Sequence, residues 1–169
     1  MDYYILILRI FHIAAGAVWV GSVFLLAFVI NPALKETGGS GQKFVDYLVR
    51  KKRFGTESSG AGVMAGIAGI LLYWRDSQGF SSAWVQSSAG IGFGVGAVLG
   101  LIAFLFGILT DRKLKAMMQI REQLEGPPSD DQMSQLQLLG KQQTTYLNIC
   151  AIALILSLWV MAVARYLVF

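Results

Sequence analysis

Residues 5–30, ILILRIFHIAAGAVWVGSVFLLAFVI, form an apolar run interrupted only by Arg9, His12, Trp19 and Ser22. About 20 apolar residues wound into a helix cross the hydrocarbon of a bilayer, so this run by itself reads as a membrane span. Working outward, three more segments qualify once interfacial residues are admitted. The expected spans cover about 4–31, 58–74, 84–109 and 145–168, joined by loops 32–57 and 110–144. Pro32 is expected to stop the first helix. The second span is the shortest and richest in glycine, with Tyr73 and Trp74 as interfacial aromatics at its end. The expected fold is therefore all-α: a single-domain integral membrane four-helix bundle over 1–169.

Composition agrees with that class. Hydrophobic residues make up 55% of the 169 positions and charged ones only 14%, with a mean hydropathy of +0.58, outside the soluble range. A net charge of +4 does not read as nucleic-acid binding, because the basic residues lie in short stretches between apolar runs. Lys35, Lys43, Arg50, Lys51, Lys52 and Arg53 follow the first span; Arg112, Lys113, Lys115, Arg121 and Lys141 follow the third. Arg9, Arg75 and Arg165 fall on the other side. By the positive-inside rule both loops are expected in the cytoplasm and both termini outside, in a cell inner membrane. Met1-Asp2-Tyr3-Tyr4 is not a basic leader and the apolar run is long, so a retained helix is expected rather than a cleaved signal.

The loops carry pattern of their own. Phe44, Tyr47, Leu48 and Phe54, and then Leu114, Met117, Met118, Ile120 and Leu124, recur near helical spacing among the bases. They read either as amphipathic helices on anionic headgroups or as extensions of the spans. Gly126-Pro127-Pro128-Ser129-Asp130-Asp131 is a turn, and residues 132–146 read as a polar helical lead into the last span.

His12 is the only histidine, and an ionisable side chain within a span points to function. Arg9, His12, Gly16 and Trp19 are spaced three, four and three apart, on one helical face. That stripe suits a haem: the imidazole as iron ligand, a glycine to clear the ring and an arginine for propionates, with Arg75 or Arg165 as further partners. The alternative is a hydrogen bond from His12 to a neighbouring helix in an ordinary bundle. At 1.5 Å per residue, His12 lies roughly 12 Å deep and Met64 about 15 Å, so Met64 is a candidate opposite ligand, with ordinary packing as the alternative; Met161, roughly 6 Å from Arg165, fits less well. A single histidine excludes bis-histidine ligation within one chain. His/Met ligation, open iron, another sixth ligand and a haem shared between two copies remain. Glycines at four-residue spacing, Gly62/Gly66, Gly90/Gly94 and Gly92/Gly96/Gly100, read as close helix packing, within the chain or in a homodimer, with cofactor clearance as the alternative. Cys150, the only cysteine, reads as a buried hydrophobe, and Asp2 and Asp76 as solvated. No catalytic pair of acids or nucleophile–base set is present.

Phe11-His12 followed by Trp19-Val20-Gly21 resembles the first helix of the HemJ/CopD-like superfamily of small membrane proteins. The likeness continues through Lys51-Lys52-Arg53-Phe54, Gly62-Val63-Met64, Trp84 and Arg112-Lys113-Leu114-Lys115, covering three spans and, more weakly, the fourth. It implies haem b ligation by His12, with Met64 as a partner. The HemJ-like His-x-Lys feature and first-helix arginine are replaced here by Val85-Gln86-Ser87-Ser88 and Val29-Ile30-Asn31-Pro32, which argues against protoporphyrinogen oxidation. Asn31-Pro32-Ala33-Leu34 is closer to the copper-handling CopD-like branch, without its extra histidines and methionines. The expectation is a haem b protein serving electron transfer, quinone-linked redox with a redox partner, or gas binding. Its rivals are copper handling, HemJ-like oxidation, and a cofactor-free assembly subunit.

Overall fold

A computed structural model describes residues 3–37, 41, 43–44, 47–81, 83–124 and 126–167. The reading of Asp2 as solvated, and the side chains of Lys35 and Arg50, lie outside the described residues. All regular elements are helical: α1 (Tyr3–Leu25), α2 (Asn31–Thr37), α3 (Phe54–Asp76), α4 (Ser88–Glu122) and α5 (Asp130–Val163), with no strand among the described residues. Three helical stretches, Tyr3–Leu34, Ser88–Glu122 and Asp130–Tyr166, are long and apolar enough to cross a membrane. α3 has the length, 23 residues or roughly 34 Å at 1.5 Å each, but glycine and serine dilute its apolar character.

Pro32 does not stop the first helix. A π-helical turn over Leu26–Ile30 joins α1 to α2, and the Asn31 N–H donates to the Leu26 carbonyl, five residues back. Proline lacks the N–H that an α-helical ladder needs. Here the ladder has already changed register one residue earlier, so Pro32 falls in the first turn of α2, where a missing donor costs little.

α4 and α5 run well past the ends expected for spans. With 35 and 34 residues they are each roughly 50 Å long, against about 30 Å of hydrocarbon. Most of 110–144 is therefore a helical hairpin prolonging the two spans. Its start is well specified: Ser129 Oγ accepts from the Gln132 N–H at 3.3 Å while Gln132 Oε1 accepts from the Ser129 N–H at 2.9 Å, a capping box. Asp130 and Asp131 fill the positive end of the helix dipole. Ser129→Ala is expected to cost about 1 kcal/mol, read as a lower thermal midpoint of the detergent-purified protein with an unchanged helical spectrum.

The packing is inverted relative to a soluble protein. The buried set is dominated by small residues, Ala15, Ala27, Ala65, Ala68, Ala103, Ala151 and Ala153 among them, while Ile10, Ile13, Val18, Leu101, Leu105 and Trp159 are exposed. Helices in lipid gain little from burying oil, and associate through close backbone approach instead. α4 and α5 form one antiparallel pair in a single register: Cβ atoms built at Gly92, Gly96, Gly107 and Gly140 would meet Ala164, Met161, Cys150 and Met117. Ser157 Oγ donates to the Gly96 carbonyl at 2.7 Å inside this seam. The α4 glycines at 92 and 96 are thus filled from within the chain. α1 pairs mainly with α3. The two pairs meet through Val23 and Ala27 against Ala103, Leu147, Cys150, Ala151 and Leu154, and through Asn31 Nδ2 donating to Thr144 Oγ1 at 3.2 Å. At the other end of α3, Tyr73 donates to the Gly90 carbonyl at 3.2 Å and its ring lies edge-on to Trp84 at 5.3 Å.

Candidate functional site

Two aromatic knobs on α1 enter two glycine holes on α3. His12 and Trp19 are seven residues apart, about 10 Å along the helix; so, running the opposite way, are Gly69 and Gly62. A Cβ at Gly69 would stand 2.8 Å from His12 Cε1, and one at Gly62 would stand 2.8 Å from Trp19 Cε2. Real side-chain carbons do not approach that closely, so both glycines are required for the rings to seat. Trp19 also reaches the other helix pair, edge-on to Phe104 with centroids 6.2 Å apart.

His12 is half-buried, and its Nδ1 lies 2.8 Å from the Ala65 carbonyl oxygen. A carbonyl has no proton to give, so Nδ1 carries the hydrogen and donates. In the neutral ring this leaves the lone pair on Nε2, the arrangement in which a backbone acceptor orients a ligating histidine. The same bond is also the helix-to-helix contact of the simpler expectation. Nδ1 fastens α1 to α3, and among the described residues nothing hydrogen-bonds Nε2.

Gly16 lies between the two knobs on α1, level with residues 65–66 in this register. A Cβ built at Gly16 or Gly66 would meet no atom within 4 Å. These two glycines are not filled by packing, unlike Gly62 and Gly69. They leave a bare strip on the flank of the α1–α3 pair beside the imidazole. A surface without side chains beside an imidazole is one against which a flat group could lie.

Arg9 is half-buried one turn from His12, and among the described residues nothing bonds its guanidinium. Arg75 lines a pocket of about 270 Å³ with Tyr4, Leu71 and Trp74, at the same end of the α1–α3 pair. Arg165 is exposed on the terminal turn whose Ala164 packs on Gly92, so it belongs to the other pair. Met64 is 48% exposed, about 100° around the helix from Ala65, on the outside of the pair while the imidazole is in its seam. Met161 is occupied against Gly96. Among the described residues no three His, Cys, Asp or Glu side chains converge.

Sequence reasoning missed Gly69 and the Ala65 carbonyl, the two partners that hold His12. The signal was present: a bulky pair seven apart on one helix and a glycine pair seven apart on another. Gly62/Gly66, at the more familiar four-residue spacing, drew the attention instead. Comparisons with protein-family models, with curated proteins and with solved structures found no match to this chain.

Proposed function

We propose that this protein is a multi-pass membrane protein that holds haem b through His12 Nε2 on the flank of the α1–α3 pair. The reading is carried by one observation: the Nδ1 hydrogen bond to Ala65, which fixes the ring and leaves Nε2 available. Haem would supply one-electron or gas-binding chemistry at that point, serving electron transfer, quinone-linked redox or gas binding. The chain's own residues do the rest. Gly16 and Gly66 give a flat face, Arg9, which bonds none of the described residues, supplies a positive charge for a propionate, and Arg75 is a further basic residue at the same end. Met64 stands about 200° around α3 from Gly66, facing away from this flank, and would reach the iron only from a second copy. Its exposure favours a site open to the bilayer or completed by a second copy. The likeness of the first helix to the HemJ/CopD-like superfamily points the same way.

In this reading α3 is the fourth span, shielded through its contact with α1. The basic ends face the cytoplasm and both termini lie outside, in an inner membrane. The test is a visible spectrum of the protein purified after expression with added haem. A Soret band in stoichiometric amount is expected, and a colourless, metal-free protein would overturn the reading. Copper without haem would move the assignment to copper handling. Rescue of a strain lacking protoporphyrinogen oxidase would move it to the oxidase.

A further inference from the structure

Beyond the far end of α1 from His12 lies an open apolar groove of about 440 Å³, lined by Val29, Ile30, Ala33, Leu34, Thr37, Gly41 and Phe44. The lining offers a ligand almost nothing but carbon. Among the described lining residues the one hydroxyl, Thr37 Oγ1, is committed to the Ala33 carbonyl at 2.8 Å. No imidazole, thioether or charged group is among those residues, and a carbon lining of this kind suits a hydrocarbon chain. Its volume is that of a small-molecule site, about 300–1,000 Å³, and too small for a packed helix.

Basic residues follow it closely in the chain. Lys43, next to the lining Phe44, is exposed, as are Lys51, Lys52 and Arg53. Carried on from His12/Gly69 and Trp19/Gly62, the antiparallel register sets Arg53, the residue before α3, roughly level with residues 27–29, the end of the span at which the groove lies. Between Leu26 and Phe54 the sequence has six bases against Glu36 and Asp46. An alkyl slot beside a net positive cluster, where the span Tyr3–Leu34 meets the membrane surface, matches one kind of molecule. We infer that this groove binds an anionic phospholipid, one acyl chain along Val29, Ala33 and Leu34 and the headgroup phosphate against Lys51, Lys52 and Arg53. The site is separate from the His12 site and does not depend on haem.

The full chain is reconstituted into vesicles of equal phosphatidylglycerol and phosphatidylcholine with matched chains, extracted in mild detergent, and its retained lipid measured by native mass spectrometry. Basic residues at a membrane surface favour anionic lipid, and an enrichment on the order of tenfold is expected for phosphatidylglycerol. Ala33→Trp fills the slot and is expected to lose both lipids. The K51Q/K52Q/R53Q triple variant is expected to keep bound lipid but lose the preference; these side chains are exposed, so this arm holds even where Ala33→Trp fails to insert. Equal retention of the two lipids by the wild type, or a preference that survives the triple variant, overturns the proposal. A lipid-free dimer that Ala33→Trp dissociates would also overturn it, giving the groove to a second copy.

Discussion

His12→Ala is expected to abolish the Soret band of the purified protein, and His12→Asn to abolish it while leaving the α1–α3 pair closed. The two variants separate the two nitrogens. Alanine removes both the proposed ligand and the donor to Ala65; an interhelical hydrogen bond in lipid is worth about 1 kcal/mol, so a modest fall in thermal midpoint accompanies the loss of colour. Asparagine places an amide N–H close to where Nδ1 stood and nothing where Nε2 stood. It should therefore keep most of the stability and none of the haem. Absorption spectra of oxidised and reduced protein, with thermal unfolding in the same detergent, give both readouts. A Soret band that persists in His12→Asn would remove His12 from iron ligation and leave it as a fastening between helices.

Gly69→Leu is expected to have the largest structural effect of any single substitution in the α1–α3 pair. Its Cβ alone would stand 2.8 Å from His12 Cε1, and three more carbons have nowhere to go while the imidazole remains in the seam. Overpacking of this kind costs about 1–3 kcal/mol where the neighbours can yield. Here the ring must leave Ala65, so haem retention should fall as well. Gly62→Leu should act the same way through Trp19. Gly16→Leu is the informative contrast: its Cβ meets nothing within 4 Å, and leucine is the better helix former by somewhat less than 1 kcal/mol. The fold should tolerate it or gain slightly, while haem retention drops because the bare strip is filled. Gly69→Leu and Gly16→Leu with equal thermal midpoints would contradict the packing argument, and undiminished haem in Gly16→Leu would move the ring off this flank.

Much of this was legible in the chain. The run from Ile5 to Ile30 pointed to a membrane helix, because an apolar segment of that length with so few polar interruptions has no other cheap solvent. The Gly126-Pro127-Pro128-Ser129 turn was readable because proline, glycine and a capping serine act locally. The expected boundaries were less good. Spans were trimmed where apolar character ended, at 109 and 145, yet α4 continues to Glu122 and α5 begins at Asp130. Nothing in residues 110–122 opposes a helix, and a paired helix needs no lipid to persist beyond the bilayer. Pro32 misled for a related reason: its effect depends on the hydrogen-bond register reaching it, which the π turn at Leu26–Ile30 changes.

The sequence by itself determined that the chain is helical and apolar, that His12 stands alone, and that Arg9, His12, Gly16 and Trp19 share a face. These follow from periodicity and composition, which act within one helix. Only the tertiary structure decided what each of those residues meets. Trp19 and His12 turn into α3, Met161 and the glycines at 92 and 96 are consumed between α4 and α5, and Gly16 stays bare. Which glycine is a hole and which is a surface depends on the register between two helices. In the α1–α3 pair that register is set by residues more than forty positions apart in sequence, so no reading along a single helix contains it.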